Sequence, residues 1–348
     1  MFGKHAIAAA FLAWSASVGC VDAQVKITQL NDRITVDVDG KPFTSLFMSP
    51  DVSKPYLYPL RAASGTVVTR RFPLEDSPGD SKDHPQHRGL MFGHADLNGF
   101  NYWANEPFNP GPKGKIVLKK IDKITSGAKS GTIEATFNWV DPNGTPLLSD
   151  RRRINFYSDP KMRTIDFDIL LTAIVQARFG DTHEGSFGVR VAAWLEEPAP
   201  AYVPKAAGGE PRPTVPKRTG LITNSEGQTT EAQVRGKRAD WADYSGETQG
   251  EKLGIAIFDH PSNPRHPTYW HTRGYGMFAA ANIFGVRDLG NNKNADGSLT
   301  LKPGEHLRFR YRVVIHPGSA QEADIRNLYR EYASSSAPNE FSSAASNH

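Results

Sequence analysis

The sequence predicts an all-β protein, a large antiparallel β-sandwich of the supersandwich type with one C-terminal helix. Several segments alternate apolar and polar residues with a period of two, which is typical of sheets with one wet face. Turn residues such as Asp-Gly and Asn-Gly punctuate these segments. Hydrophobic residues make up 38% of the chain and aromatic residues 10%, which is enough for a sizeable core.

The first 23 residues are predicted to be a signal peptide. Lys4 and His5 precede a short apolar run over 6–18, and small residues favour cleavage after Ala23. A short membrane anchor and a lipoprotein modified at Cys20 are the alternatives. The only cysteine lies in this leader, so a periplasmic or secreted mature chain is expected to contain no disulfide.

Residues 24–333 are predicted to form a single β-sandwich domain. The first hairpin joins Val25–Leu30 to Arg33–Val38 across Asn31-Asp32. Further strands are predicted at Thr132–Val140, Arg163–Leu171, Leu253–Phe258 and His306–Ile315. The proline-rich stretch 198–216 is interpreted as a long surface loop rather than an interdomain linker, because the sequence on both sides has the same character.

One helix is predicted near the C-terminus. Ser319 and Glu322 form a possible capping box, and apolar residues follow at helical spacing. These residues are Ile325, Leu328, Tyr329 and Tyr332. The Ser/Ala-rich residues 334–348 are predicted to be a disordered tail.

The composition and motifs exclude several classes of protein. The formal net charge is +4, and no basic run is interleaved with aromatic residues, so nucleic acid is not an expected partner. No apolar run of about 18 residues follows the leader, so no transmembrane segment is expected in the mature chain. The sequence also lacks a P-loop, a dinucleotide fingerprint and a G-x-S-x-G elbow.

A first polar cluster lies at residues 83–89, which read Asp-His-Pro-Gln-His-Arg-Gly. Pro85 argues against a helix. If a strand begins near Arg88, then Arg88, Leu90, Phe92 and His94 share one face. The candidate site residues of this region are His84, His87, Arg88, His94, Asn98 and Trp103.

A second cluster lies at residues 180–190 and contains His183, Glu184 and Arg190. On an extended chain Glu184 and Arg190 point to one side and His183 to the other. Both His183 and Glu184 therefore enter one pocket only if they belong to the loop before the strand. Gly188 allows a close approach to the backbone of this strand.

A third cluster lies at residues 260–275, where prolines make the first half a rigid loop. From His271 onward, alternation places His271, Arg273 and Tyr275 on one face. Asn282 follows after an apolar run. Since loops on a rigid scaffold usually carry sites, the three clusters are predicted to converge on one cleft.

These residue types indicate proton transfer and the recognition of hydroxyl groups. The predicted proton carriers are His84, His87, His183 and His271, with Glu184 as a base. Guanidinium, amide and aromatic groups suit substrate binding. The predicted binding residues are Arg88, His94, Asn98, Trp103, Arg190, Arg273, Tyr275 and Asn282. No cofactor is required, although a divalent metal held by His84, His87 or His94 with a carboxylate is a further alternative.

Several segments resemble a bacterial family that is often labelled methane oxygenase PmoA, or PmoA-like. They are Lys54–Leu60, Asp83–Gly89, Asn98-Gly99 with Trp103, His183–Gly185 with Arg190, and Trp270–Gly276. The resemblance does not imply methane oxidation, because the membrane subunit of that name is built of transmembrane helices. The strand-rich pattern is similar to galactose-mutarotase-like β-sandwiches, in which a histidine and an acidic residue perform acid–base work on a sugar. This second similarity concerns the fold and implies no catalytic position here.

We therefore expect an exported carbohydrate-active enzyme that uses His/Glu acid–base catalysis on a sugar or glycoside, as an epimerase, lyase or hydrolase. Its substrate is expected to be a small molecule or an oligosaccharide. A non-catalytic carbohydrate-binding protein of the cell envelope is one alternative, and a metal-dependent hydrolase or lyase is another. Replacing His87 or His271 by alanine is expected to abolish activity with little change in stability.

Overall fold

The computed structural model describes residues 24–77, 79–198, 217–282, 285–335 and 341. The predicted signal peptide, residues 1–23, lies outside the described residues. The predicted loop 198–216 also lies outside them, apart from Pro198. Of the predicted tail, the described residues are Ser334, Ser335 and Phe341.

The described chain is built mainly of β-strands. In chain order the first ten are β1 Val25–Gln29, β2 Arg33–Val38, β3 Lys41–Phe47, β4 Tyr56–Tyr58, β5 Leu90–His94, β6 Lys115–Thr125, β7 Ser130–Val140, β8 Pro146–Tyr157, β9 Arg163–Ala173 and β10 Ala177–Phe179. They are followed by β11 Gly185–Arg190, β12 Leu221–Asn224, β13 Arg238–Ala239, β14 Trp241–Thr248, β15 Glu251–Asp259, β16 Thr268–Arg273, β17 Met277–Ala281, β18 Leu299–Leu301 and β19 His306–Pro317.

These strands form two large antiparallel sheets, so the predicted fold class is confirmed. The nine-stranded sheet has the order β1-β2-β3-β4-β5-β11-β17-β16-β13, and the eight-stranded sheet has the order β12-β14-β15-β19-β9-β8-β7-β6. Strands β10 and β18 pair separately. The predicted hairpin is β1–β2, in which Val25 pairs with Val38. Each of the other predicted strands lies within β7, β9, β15 or β19.

The main core lies between the two large sheets. Phe187 of β11 stacks on Tyr311 of β19, with ring centroids 4.4 Å apart. Phe92 of β5 contacts Phe309 of β19 at 5.7 Å. Both pairs join the nine-stranded sheet to the eight-stranded sheet. Such contacts between large buried rings account for much of the favourable free energy of folding.

The nine-stranded sheet also has an outer face, which is turned away from the eight-stranded sheet. Alternation along β16 sends Trp270 into the main core, so its neighbour His271 points to the outer face. In β11, Val189 packs in the core and Arg190 points outward. A smaller apolar cluster that includes Trp103 packs on this outer face. Polar side chains are thereby presented beside a rigid surface.

The predicted C-terminal helix is present as α2, Ile325–Ala333, and it begins later than the capping box suggests. Glu322 accepts a hydrogen bond from the backbone N–H of Ser319 at 2.8 Å, and this contact closes the turn before the helix. The residue that precedes the first helical turn is Asp324. Buried residues of α2, including Tyr329, pack on the eight-stranded sheet.

The structure also contains a short helix, α1, Thr230–Val234, and a 3₁₀ turn, Ala193–Leu195, which were not predicted. Both are too short to produce a recognisable helical period in the sequence. No helix in the described ranges is long and apolar enough to cross a bilayer.

Candidate functional site

A cavity of about 540 Å³ opens beside the outer face of the nine-stranded sheet. The three polar clusters of the sequence all contribute to its lining. From them come Asp83, His84, His87, His183, Glu184, His271, Arg273, Gly274 and Tyr275. Four further lining residues come from other segments, namely Glu197, Pro198, Arg218 and Glu231. The structure thus brings five imidazole and carboxyl groups proposed as proton carriers to one place.

Strand boundaries explain how neighbouring side chains enter the same cavity. Strand β11 begins at Gly185, so His183 and Glu184 belong to the preceding loop, and both line the cavity. In β16, His271 and Arg273 are two residues apart and therefore share the outer face. Tyr275 follows in the turn between β16 and β17.

Asp83 is the centre of a network of hydrogen bonds beneath the cavity. Its Oδ1 accepts hydrogen bonds from Arg70 Nη1 at 2.8 Å, Arg190 Nη2 at 2.9 Å and Ser81 Oγ at 2.6 Å. Burial alone would raise the pKa of Asp83. The hydrogen bond from His84 and the two guanidiniums outweigh burial and hold this pKa well below its usual range. Asp83 is therefore a carboxylate at all ordinary pH values.

His84 is paired with this carboxylate. Its Nδ1 lies 3.0 Å from Asp83 Oδ2, so Nδ1 carries the proton and Nε2 is the nitrogen available for exchange. The ring of His84 stacks on His87 at 5.1 Å and on Tyr275 at 5.4 Å. The His84 side chain is 41% exposed, so it is accessible to a ligand in the cavity.

His183 forms a second histidine–carboxylate pair. Its Nδ1 lies 2.7 Å from Asp288 Oδ2, which again leaves Nε2 for proton exchange. Its backbone carbonyl accepts a hydrogen bond from Nδ1 of His271 at 3.0 Å. The two rings meet edge to face, with centroids 5.0 Å apart. His271 therefore keeps an unprotonated Nε2.

His87 and His271 are both held in the neutral form. Burial lowers the pKa of His87 well below its usual value, and the positive charge of Arg190 adds to the effect. Burial and the nearby Arg235 do the same for the pKa of His271. The cavity thus contains two imidazoles that are paired with carboxylates and two buried imidazoles whose pKa values are lowered.

Acidic side chains form another wall of the cavity. Glu231 Oε1 lies 3.2 Å from Arg273 Nε, and Glu231 Oε2 accepts a hydrogen bond from the backbone N–H of Gly274 at 2.6 Å. Glu197 accepts a hydrogen bond from the backbone N–H of Glu231 at 3.1 Å. Burial raises the pKa of Glu197.

Behind this wall, Glu196 is 1% exposed and lies 3.0 Å from Arg218 Nη2. Burial raises the pKa of Glu196 to about 7, against the opposing charges of Arg190 and Arg218. None of these acidic groups was predicted from the sequence as a site residue. The pair Glu196-Glu197 before the proline-rich stretch was the available signal for part of them.

Arg190 does not line the cavity. It is fully buried, its Nη2 holds Asp83, and its guanidinium lies 4.5 Å from the centroid of the Tyr275 ring. Arg190 thus supports the site from beneath instead of contacting a ligand as predicted. Tyr275 contacts Arg190 and His84 with its ring, so its aromatic surface already has partners.

His94 and Asn282 are predicted binding residues that lie away from the cavity. His94 shares a face with Leu90 and Phe92, as predicted, but that face is the main core. Its Nε2 contacts the backbone carbonyl of Gly180 at 2.9 Å. Asn282 is buried and donates a hydrogen bond to Asp259 Oδ1 at 2.6 Å. The period-two pattern identified the shared face but not which face is buried.

Three other predicted binding residues also lie outside the cavity lining. Arg88 Nη2 pairs with the buried Glu106 at 3.2 Å. Asn98 donates a hydrogen bond to the backbone carbonyl of Gln176 at 2.9 Å and fixes a turn. Trp103 is fully buried in the outer-face cluster, where it contacts the ring of His87 at 5.8 Å. Arg88, Asn98 and Trp103 therefore each contact neighbouring protein groups outside the cavity lining.

The predicted metal ligands do not form a recognisable metal site. Among the described residues, no group of three or more His, Cys, Asp or Glu side chains is arranged to hold a metal ion. His84 and His87 are close, but their rings are stacked in parallel, and His94 faces the main core.

The fold and the cavity together define a β-sandwich protein with a histidine- and carboxylate-lined site on the outer face of its larger sheet. The chain belongs to the family described as "Family of unknown function (DUF6807)", whose model matches residues 33–330. No curated protein matches the chain.

Several solved structures show similarity to this chain. A galactose mutarotase-like protein from Clostridium acetobutylicum is 10% identical, over 85% of this chain and 99% of that one, with a TM-score of 0.42. A galactose mutarotase-like protein from Lactobacillus casei is 8% identical, over 84% and 100%, with a TM-score of 0.34. The GH36 alpha-galactosidase AgaA from Geobacillus stearothermophilus is 12% identical with a TM-score of 0.37; the match covers 85% of this chain and 40% of that enzyme.

Proposed function

We propose that this protein is an exported enzyme that acts on a sugar or glycoside by acid–base catalysis. The observation that carries the proposal is the arrangement of histidines in one cavity. His84 and His183 each have a carboxylate partner, whereas His87 and His271 are buried and neutral. General acid–base catalysis requires such groups within reach of one ligand, and a carboxylate partner stabilises the charged form of an imidazole when it takes a proton.

The carboxylate-paired histidines are the better proton carriers. When His84 Nε2 takes a proton, the ring becomes positively charged, and Asp83 stabilises that charge through Nδ1. Asp288 does the same for His183. Glu184 lines the same cavity and serves as a second base. The neutral Nε2 of His271 accepts a hydrogen bond from a substrate hydroxyl group.

The polar groups around the histidines support a substrate rich in hydroxyl groups. Glu197 and Glu231 supply acceptors, and Arg218 and Arg273 supply donors. A hydroxyl group both donates and accepts, so it can bridge such neighbours, while a strongly anionic ligand would be repelled by the carboxylates. Reactions that fit include epimerisation, elimination and hydrolysis at a sugar carbon.

The proposed location follows from the leader. Cleavage after Ala23 would release the protein into the periplasm or the medium, and lipid attachment at Cys20 would instead tether it to the envelope. Mass spectrometry of the mature N-terminus distinguishes these outcomes.

The test is a screen of the purified mature protein against monosaccharides, glycosides and oxidised sugars. Proton NMR in D₂O detects deuterium exchange at sugar carbons, and product analysis detects cleavage. Turnover that disappears in His84→Ala and His183→Ala supports the proposal. Sugar binding without turnover would identify a carbohydrate-binding protein, and neither binding nor turnover would overturn the proposal.

A further inference from the structure

A second cavity of about 240 Å³ adjoins the first. Its lining residues are Glu231, Ala232, Arg235, Gly236, Asp288 and Leu289. Glu231 belongs to both cavities, so its side chain forms part of their common wall.

The His183–Asp288 pair connects the two cavities. His183 lines the first cavity and Asp288 lines the second cavity. The hydrogen bond between His183 Nδ1 and Asp288 Oδ2 is 2.7 Å long. A ligand that occupies both cavities would therefore contact one member of this pair in each cavity. A proposed proton carrier therefore stands at the boundary instead of at the end of the site.

The second cavity offers both a hydrogen-bond donor and acceptors. Nη1 of Arg235 is buried and has no hydrogen-bond partner among the described residues. Glu231 and Asp288 supply carboxylate oxygens on the same lining. Two carboxylates and one guanidinium disfavour a phosphate or carboxylate ligand and match neutral hydroxyl groups.

Two backbone segments that line this cavity are in close contact. Gly236 has φ +70°, and a Cβ atom there would lie 2.3 Å from the carbonyl oxygen of Leu289. The two segments can meet so closely because residue 236 has no side chain. Gly236 and Leu289, which both line the cavity, are thus held together by the backbone.

We propose that the second cavity is a subsite for a second sugar unit, so that the substrate is a disaccharide, an oligosaccharide or a glycoside with a sugar-like aglycone. The reacting unit occupies the first cavity, and the bond to the next unit lies beside His183. This inference rests on the proposed function, because it assigns the substrate class of the same site.

The test blocks the second cavity alone. Ala232 is an exposed residue of α1 that lines only the second cavity, so Ala232→Trp would fill it with a bulky ring. Lys237→Trp is the matched control, because Lys237 is exposed nearby and lines neither cavity. Thermal unfolding of both variants checks that the fold is retained.

Calorimetric titration measures the binding affinity of each sugar. The ligands are glucose, galactose, mannose and xylose, with a disaccharide and a trisaccharide of each. For at least one series, the disaccharide should bind about tenfold more tightly than its monosaccharide. Ala232→Trp should remove this gain, and Lys237→Trp should keep it. Equal binding of both lengths, or a gain that survives Ala232→Trp, overturns the subsite and leaves the proposed function intact. Failure of every sugar to bind overturns both.

Discussion

Among single residues, Asp83 combines a structural role with a role at the proposed site. Its Oδ1 accepts hydrogen bonds from Arg70 and Arg190, and its Oδ2 lies within hydrogen-bond distance of His84 Nδ1. Both arginines are almost fully buried, so this carboxylate is a main source of the negative charge that offsets them. The same group therefore stabilises the fold and orients a proposed proton carrier.

Asp83→Asn should be strongly destabilising. The amide keeps the shape of the side chain but leaves Arg70 and Arg190 without their shared charge, at a cost of about 3 kcal/mol in the free energy of unfolding. Urea unfolding measures this change. The control is Asp32→Asn, because Asp32 is exposed and pairs with Arg33 at the surface, and there the change should be close to zero.

His84→Ala should reduce turnover by at least about 100-fold, since it removes a general acid–base group. Stability should change little, because the His84 side chain is 41% exposed. His306→Ala, at an exposed histidine of β19, is the control for the loss of an imidazole. Unchanged turnover in His84→Ala would remove this residue from the mechanism.

His87 and His271 require a different expectation from the one based on sequence. They are 3% and 6% exposed, so replacement by alanine leaves buried cavities as well as removing polar groups. We now expect each alanine variant to lose both stability and activity. Thermal unfolding alongside turnover measures the two losses separately.

His266 should make stability depend on pH above neutrality. Burial alone would lower its pKa, but hydrogen bonds to Asp240 and Asp259 and their charges raise it to about 9. Because the folded pKa exceeds the unfolded value of about 6.5, the contribution is complete below pH 6.5 and is lost as the pH rises through 9. Urea unfolding at pH 6 and pH 9.5 should show wild type losing its advantage over His266→Asn.

At the scale of elements, Gly188 allows strand β11 to pack closely against strand β17. A Cβ atom on Gly188 would lie 2.8 Å from both Ala279 Cβ and Met277 Cε of β17. The close approach expected at this glycine is therefore made by the neighbouring strand. It fixes the position of β11, whose last residue is Arg190.

Gly188→Ala should destabilise the protein by about 1–3 kcal/mol, since the added methyl group overpacks the contact between β11 and β17. The displacement should also disturb Arg190 and weaken ligand binding in the first cavity. Urea unfolding and calorimetry with a sugar that binds wild type are the measurements. A variant as stable as wild type would show that the two strands can separate without cost.

The elements of the site differ in how far sequence could predict them. Alternation predicted that His271 and Arg273 share a face, because that relation is local to one strand. Glu231 and Arg218 could not be found this way, since they reach the cavity only through tertiary folding of distant segments. For His94, alternation correctly predicted a shared face with Leu90 and Phe92, but that face is buried in the main core and does not reach the cavity.

For the whole molecule, the main consequence of the fold is the separation of core and site. The large apolar core lies between the sheets, and the proposed site lies on the outer face of one sheet. Long-range pairing builds the site, as in the bond between Asp83 and Arg190, which are 107 positions apart. The sandwich class was predictable from alternation and turns, but these pairings depend on strand order.

Removal of divalent metal should leave catalysis unchanged, because the proposed acid–base mechanism uses only histidine and carboxylate side chains. Turnover of the purified protein should be the same before and after dialysis against EDTA. Loss of activity that added Zn²⁺ or Ca²⁺ restores would favour the metal-dependent alternative.

Strand β16 carries Trp270 on one side and His271 on the other. Deleting one residue early in this strand would exchange the two faces, so that the indole of Trp270 would point toward the first cavity and the imidazole of His271 into the main core. Insertions in the loops around the first cavity would not change which side chains of β16 are buried. We expect natural length variation among homologues to be confined to those loops, with the β16 segment kept free of gaps.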